Sequence, residues 1–424
     1  MSKVLSFAYK WCGPKWPMTN NRVPTIADIN FAMNEGNVDD SIQAPVVFQS
    51  FKNREIISAL EIPQDKKYFY ELNFTSYYYR DWTKLFSITD GPFVNNPPRS
   101  LIKDQIKNGN GYVLVTIPFE GWVTSKHWEV MTQFFNHYEI PLNKVVYFTN
   151  CANGQELYNR WAENKAGPKI NVEYFPTFKI HRTNVEQTLL KEEPYNVGPR
   201  EKDFLCFQRR YSDHRLSFFI KMFKKNLLNN FFMSMDSKQP ESGRSFESNV
   251  DYLIKRYPNL GITKEDIAPS KSKLPLVLDN PNFNSYPMEA TEQSIEHYFK
   301  NSLINIISET FFFTDEIHIT EKTYKPIAYK QPFIMMGAKG SLQHIKDMGF
   351  KTFDQWWSEE YDNIADPVER INRICDIVHA ISAWPNSVKV QFTKEVAEIV
   401  EYNFNLLKTI PDTELDIITE KYGN

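Results

Sequence analysis

At 424 residues and 49.9 kDa, the chain exceeds the roughly 250–300 residues that one hydrophobic core fills, so two domains are expected. Hydrophobic residues make up 42% and aromatic residues 15%, enough for packed cores, which excludes a disordered chain. A formal charge of -3 excludes nucleic-acid binding by bulk charge and leaves only a local basic cleft for that purpose.

The opening "KVLSFAY" (3–9) reads as a short buried strand, followed by the Pro- and Asn-rich loop "KWCGPKWPMTNNRVP". Its apolar run is too short for a signal peptide. No stretch reaches the ~18–20 apolar residues of a membrane span, so no membrane partner is expected. Cys12, Cys151, Cys206 and Cys375 lack metal-like or disulfide-framework spacing, which points to a reducing, cytoplasmic setting.

"GYVLVTIPFEGW" (111–122) is rich in branched residues and reads as a strand. "SKHWEVMTQFFNHYEI" (125–140) carries apolar residues at helical spacing, and "KVVYFTN" (144–150) is the next strand. That βαβ order marks a parallel sheet covered by helices. A helix over 154–167 and a strand over 169–178 continue it. His127 and His137 share a helix without a metal-like partner and are read as structural.

Residues 179–201 are polar, have no sustained period and read as the crossing between domains. The alternation restarts with a strand at 202–208, a helix at 212–229 and a strand at 230–235. The polar stretch 236–270 reads as a small insertion. "LPLVLD" (274–279) and "SLINIIS" (302–308) are strand candidates, followed by a helix from Thr320, the strand "QPFIMMG" (331–337), a helix over 339–349 and a tail helix over 393–410. The expected architecture is α/β, with two Rossmann-like domains facing a cleft. An acceptor-side domain takes 1–190, a nucleotide-binding domain 200–390, and a packing helix 391–424.

In such domains ligands bind outside the carboxyl ends of the strands, so chemistry is sought there. "FLCFQRRYSDHR" sets Arg209 and Arg210 after a strand and Arg215 inside the following helix. Guanidinium forks match phosphate oxygens, and a helix N-terminus adds partial positive charge. The same arginines also fit an ordinary solvated surface. In "SETFFFTDEIHITEKTYKPIAYKQPFIMMG", Glu309 ends a strand and Thr320 caps a helix that carries Glu321, Lys322 and Lys325. Carboxylates accept from ribose hydroxyls and ammonium groups meet phosphate. Plain matching of charge to the helix dipole explains the same order of residues.

That second stretch resembles the donor-binding motif of the α1,3-fucosyltransferase family over about residues 200–345. The resemblance implies a two-domain GT-B glycosyltransferase fold, with Glu309, Thr320, Glu321 and Lys322, plus Arg209 or Arg210, at a nucleotide-diphosphate sugar. Glu321 would face the ribose, while Lys322 and an arginine would face the diphosphate. His318 stands where the family usually has Tyr, and Thr310 where it usually has Asn, so the base and sugar do not carry over. In general character the chain is also similar to phage sugar transferases that decorate hydroxymethylcytosine in DNA, which would place it in host cytoplasm.

Transfer also needs a base on the acceptor hydroxyl. Glu120 follows a strand and precedes a helix, and Glu71 in "YFYELNF" is the reserve; either also fits a cap or a surface ion pair. No DxD triplet is present, so metal-independent chemistry is expected, with no cofactor besides the donor. The expected acceptor is 5-hydroxymethylcytosine in phage DNA. A glycan acceptor and a non-catalytic nucleotide-binding protein are the alternatives.

Overall fold

The computed structural model describes residues 3–9, 50–58, 65–73, 104–117, 123–180, 193–208, 211–235, 245–278 and 293–424. The chain forms two compact units, Met1–Ile180 together with Pro411–Asn424, and His181–Ile410. Each is α/β and built on one wholly parallel sheet.

In the first unit the strands are β1 (Leu5–Tyr9), β2 (Arg54–Ser58), β3 (Tyr68–Asn73), β4 (Gly111–Ile117), β5 (Val145–Thr149) and β6 (Asn171–Tyr174). Their order across the sheet is β2-β1-β3-β4-β5-β6. β5, "VVYFT", is buried at every position, as a strand covered on both faces must be. One face meets α1 (Ser125–His137) and α2 (Gly154–Ala162). There Trp128 packs edge-on against Tyr147 and Tyr158, with centroids 5.3 and 5.0 Å away. The opposite face is an aromatic cluster of Phe7, Phe51, Phe69, Phe148 and Phe175.

The second unit has β7 (Lys202–Phe207), β8 (Phe231–Ser234), β9 (Ser302–Ser308) and β10 (Phe333–Met336) in the order β10-β9-β7-β8. Its helices include α3 (Asp213–Lys224), α4 (Phe246–Arg256), α5 (Gln293–Lys300), α6 (Glu321–Ala328), α7 (Ser341–Asp347) and α8 (Pro367–Ser382). α3 opens on Asp213 and closes on Lys221 and Lys224, matching its dipole at both ends. The stretch expected to be a polar insertion contains α4, capped by Ser245, whose Oγ accepts from Ser248 N (3.2 Å). Phe246, Val250 and Leu253 form its buried stripe. "LPLVLD" is not a strand within the described residues. It contributes one antiparallel bridge, Met235 to Leu276, because Pro275 has no N–H for a ladder.

The expected single helix over 391–424 is three: α9 (Asn386–Glu395), α10 (Ala397–Thr409) and α11 (Thr413–Tyr422). Pro411 cannot extend α10, and beyond it the chain rejoins the first unit. Leu415, Ile418 and Tyr422 of α11 complete the aromatic face. Lys179, almost wholly buried, pairs with Glu414 at 2.6 Å, and Tyr422 Oη donates to Glu173 (2.6 Å). Asn424 exchanges backbone hydrogen bonds with Val4 (3.0 and 3.3 Å) and holds the Lys67 backbone through its side chain (2.7 and 3.0 Å), joining the entries of β1 and β3.

Candidate functional site

The strand order of the second unit reverses at β7. The chain leaves β7 for β8 on one side and later returns to place β9 on the other. The connecting helices take opposite faces. On one, Phe218 of α3 packs edge-on against Phe231 (6.0 Å), which stacks on Phe204 of β7 (4.8 Å). On the other, Leu205 and Phe207 meet Ile295 and Phe299 of α5, and Phe299 stacks on Tyr329 at the end of α6 (4.2 Å). Two connections that diverge to opposite faces leave a crevice at the carboxyl ends of β7 and β9, where open parallel sheets bind ligands.

Both motif segments arrive at that crevice. Glu309 directly follows β9 and is 1% exposed. Its carboxylate accepts from Thr320 N (3.1 Å), Thr320 Oγ1 (2.7 Å) and Thr323 Oγ1 (2.6 Å). It therefore anchors the first turn of α6, satisfying N–H and hydroxyl donors that the helix start would otherwise bury. Read from sequence as a donor-binding group, Glu309 is committed here to protein donors and acts as a positioning residue. Thr320 is the N-cap, its Oγ1 accepting from Lys322 N at 3.3 Å.

Glu321 and Lys322 are the outward-facing pair, 24% and 28% exposed, with Lys322 Nζ 3.2 Å from Glu321 Oε1 and 3.2 Å from Thr320 Oγ1. Burial alone would raise the Glu321 pKa. The ammonium groups of Lys322 and then Lys325, with hydrogen bonds from the helix start and Lys322, outweigh burial and hold it at about 2. Glu321 is thus a firmly ionised acceptor beside two cations.

From the β7 side, His214 Nε2 donates to the Glu309 carbonyl (2.9 Å), while Ser212 Oγ lies 3.1 Å from Nδ1. Burial, then Arg215, Lys322 and Arg370, push the His214 pKa well below its ordinary value, so the ring is neutral with its proton on Nε2. His214 at the start of α3 holds the Glu309 carbonyl while the Glu309 carboxylate holds the start of α6, so the two helix starts lie together. Arg215 Nη2 reaches the Ser308 carbonyl at 3.4 Å. Arg370 donates to the Phe312 carbonyl (2.6 Å) and sits 4.6 Å over its ring, which His214 also stacks against (5.5 Å). Sequence reasoning passed over His214 and Arg370. His214 had a local signal, its position one residue inside a helix start; Arg370 lies 58 residues from the carbonyl it holds.

Arg209 and Arg210 lie outside the described residues. Glu120 also lies outside them. Glu71 belongs to β3 in register with Leu114, two residues before the strand ends at Asn73, rather than at the strand end itself. Among the described residues no cluster of His, Cys, Asp and Glu suits a metal ion, and no helix is long and apolar enough to cross a membrane.

A cleft of about 280 Å³ opens at the other edge of the same sheet, before β7, β9 and β10, lined by Tyr195, Arg200, Phe299, Lys300, Tyr329 and Lys330. Its lysines are engaged, Lys330 with Glu401 (2.8 Å) and Lys300 with Glu193 and Glu296 (2.6 and 2.7 Å). Glu309, Thr320, Glu321, Lys322 and Lys325 do not line it, and open parallel sheets bind ligands at the carboxyl edge rather than here.

No family model matches the chain, and no curated protein matches it. Among solved structures it is similar to an α,α-trehalose-phosphate synthase (UDP-forming) from Burkholderia vietnamiensis, at 8% identity and a TM-score of 0.40, over 85% of this chain and 74% of that one. It is also similar to the trehalose-6-phosphate synthase OtsA, at 7% identity and a TM-score of 0.37, over 99% and 98%. Likeness this distant carries nothing about substrate or reaction.

Proposed function

We propose that the chain is a glycosyltransferase that moves a sugar from a nucleotide-diphosphate donor to an acceptor hydroxyl, with the two-domain GT-B organisation implied by the fucosyltransferase resemblance. The observation that carries this reading is the meeting of the β7–α3 and β9–α6 connections at one switch-point crevice, through His214 and Glu309. Glu321 accepts from the donor ribose. Lys322, Lys325, Arg209 and Arg210 meet the pyrophosphate, with the start of α3, where Ser212 makes no side-chain cap, adding its dipole.

In the reaction, a carboxylate of the first unit, Glu120 with Glu71 in reserve, takes the acceptor proton. The acceptor oxygen attacks the anomeric carbon and the bond to pyrophosphate breaks. The nucleoside diphosphate leaves with that electron pair, stabilised by fixed cations, and the anomeric centre inverts. Fixed lysine and arginine charge suffices for the leaving group, so the proposed chemistry needs no metal. The acceptor assigned is 5-hydroxymethylcytosine in DNA, after the phage-type resemblance; a glycan hydroxyl is the rival.

Calorimetry against UDP-, GDP- and ADP-sugars tests the donor site. Binding of at least one donor, lost in the Glu321→Ala/Lys322→Ala variant, is expected; undiminished binding to that variant overturns the assignment. Incubation of enzyme and the bound donor with hydroxymethylcytosine DNA, followed by nucleoside mass measurement, separates the acceptors. No mass increment rejects the DNA acceptor.

A further inference from the structure

Two buried polar side chains at the same switch point have no hydrogen-bond partner among the described residues. Gln208, the residue after β7, is 0% exposed, and both its Oε1 and Nε2 lack a hydrogen bond. Ser308, the last residue of β9, is 2% exposed, and its Oγ also lacks one. Continuing the β7–β9 register, in which Lys202 faces Ser302 and Leu205 faces Asn305, sets Gln208 beside Ser308. Strand alternation puts both on the face of Phe204 and Cys206, the face covered by α3. The Arg215 contact to the Ser308 carbonyl falls at the same place.

Leaving such groups unpaired forfeits their hydration with nothing in return, so folded chains nearly always pair them. Gln208 N donates to Ser234 O (3.1 Å) and the Ser308 carbonyl accepts from Arg215 Nη2 (3.4 Å), so backbone contacts hold both residues at the crevice. Sequences break the pairing rule mainly where function demands it. A carboxamide and a hydroxyl side by side offer one donor-only group, one acceptor-only group and one that does both. Vicinal sugar hydroxyls, each both donor and acceptor, satisfy all three together.

The order of a nucleotide sugar along the crevice identifies which part arrives here. Glu321 and Lys322 lie at the start of α6 and would take ribose and diphosphate. Gln208 and Ser308 lie on the opposite, α3 face, beyond the diphosphate. We infer that Gln208 and Ser308 select the transferred sugar by hydrogen-bonding its hydroxyls, an assignment that rests on the glycosyltransferase reading above. The three side-chain torsions of Gln208 let its carboxamide turn from its sealed position toward an occupant without moving β7.

The experiment compares wild type, Gln208→Met and Ser308→Ala by calorimetry. The ligands are whichever of UDP-glucose, GDP-mannose, GDP-fucose or ADP-glucose binds wild type most tightly, and the nucleoside diphosphate of that donor alone. Thermal unfolding is recorded in parallel. Gln208→Met is expected to weaken the nucleotide sugar at least tenfold, to leave the diphosphate within twofold, and to melt no lower than wild type, because it removes an unpaired buried amide. Ser308→Ala should weaken the nucleotide sugar several-fold with the same selectivity. Unchanged sugar binding in both variants, equal weakening of sugar and diphosphate, or a lower melting temperature with unchanged binding (the sign of a structural buried water) overturns the inference and leaves the donor site standing. Failure of wild type to bind any donor overturns the glycosyltransferase reading itself, and this assignment with it.

Discussion

Glu309 and Glu321 stand twelve residues apart at the same helix start, yet their substitution should have opposite consequences. Glu309→Ala removes three hydrogen bonds to an ionic acceptor, at 2.6, 2.7 and 3.1 Å. Each such bond is worth about 1.5–3 kcal/mol when measured singly. Sharing one carboxylate they do not add fully, and relief of burying that carboxylate offsets part of the loss. A net cost of about 3 kcal/mol follows, concentrated in α6 and β10. Glu321→Ala removes a partly exposed first-turn charge, worth about 0.3–1 kcal/mol in such positions, and also relieves the burial that its lysines offset. Urea denaturation of both variants, with hydrogen exchange followed over 320–336, measures the contrast. Glu309→Ala should lower the midpoint and open that segment, whereas Glu321→Ala should leave both nearly unchanged and lose donor affinity. A Glu309→Ala cost below about 1 kcal/mol, or the two effects exchanged, refutes the division between the anchoring and the ligand-facing carboxylate.

The buried Lys179–Glu414 pair tests the attachment of α11. Glu414→Ala removes the carboxylate from a buried ammonium and should cost first-unit stability, up to about 3–5 kcal/mol, while Lys179→Met with Glu414→Leu should recover most of it, both read by urea denaturation. Acid should loosen α1, because burial, and then Lys126, lower the His127 pKa from 6.5 to about 4. With the folded value depressed, the unfolded chain takes up the proton first. Stability is full above pH 6.5 and falls by about 1.4 kcal/mol per pH unit toward pH 4. Hydrogen exchange over 125–137 should show that slope in wild type and a flatter one in His127→Gln; equal slopes would remove His127 as the cause. Lys322→Ala should weaken donor binding about tenfold or more by calorimetry with little change in melting temperature, and an unaffected affinity would separate Lys322 from the diphosphate.

The parallel sheets were legible where strands are unbroken apolar runs and helices keep a 3.6-residue stripe, as in 111–150 and 202–235. β2, "REIIS", escaped because five mixed residues carry no period of their own. α4 escaped because its narrow buried stripe of Phe246, Val250 and Leu253 is diluted by polar neighbours. At the candidate site, position was legible and orientation was not. A strand-ending glutamate looks the same in sequence whether it turns to solvent or back onto its own chain. The Glu309 partners, 11 and 14 residues downstream, become neighbours only once β9 and α6 have packed. Gln208 and Ser308 gave no signal because their singularity is a missing partner, which only three dimensions can display.

The return of 411–424 to the first unit sets an order of events on the ribosome. α11 is synthesised only after the whole of His181–Ile410, so the Phe7–Phe69–Phe148 face lacks its α11 packing while the second unit is made. The nascent first unit lacks the cover of Leu415, Ile418 and Tyr422 during that time, and partly covered apolar surface of this kind favours encounters with other chains. Expression at lower temperature, which slows encounter between such surfaces, should therefore favour recovery of the completed protein.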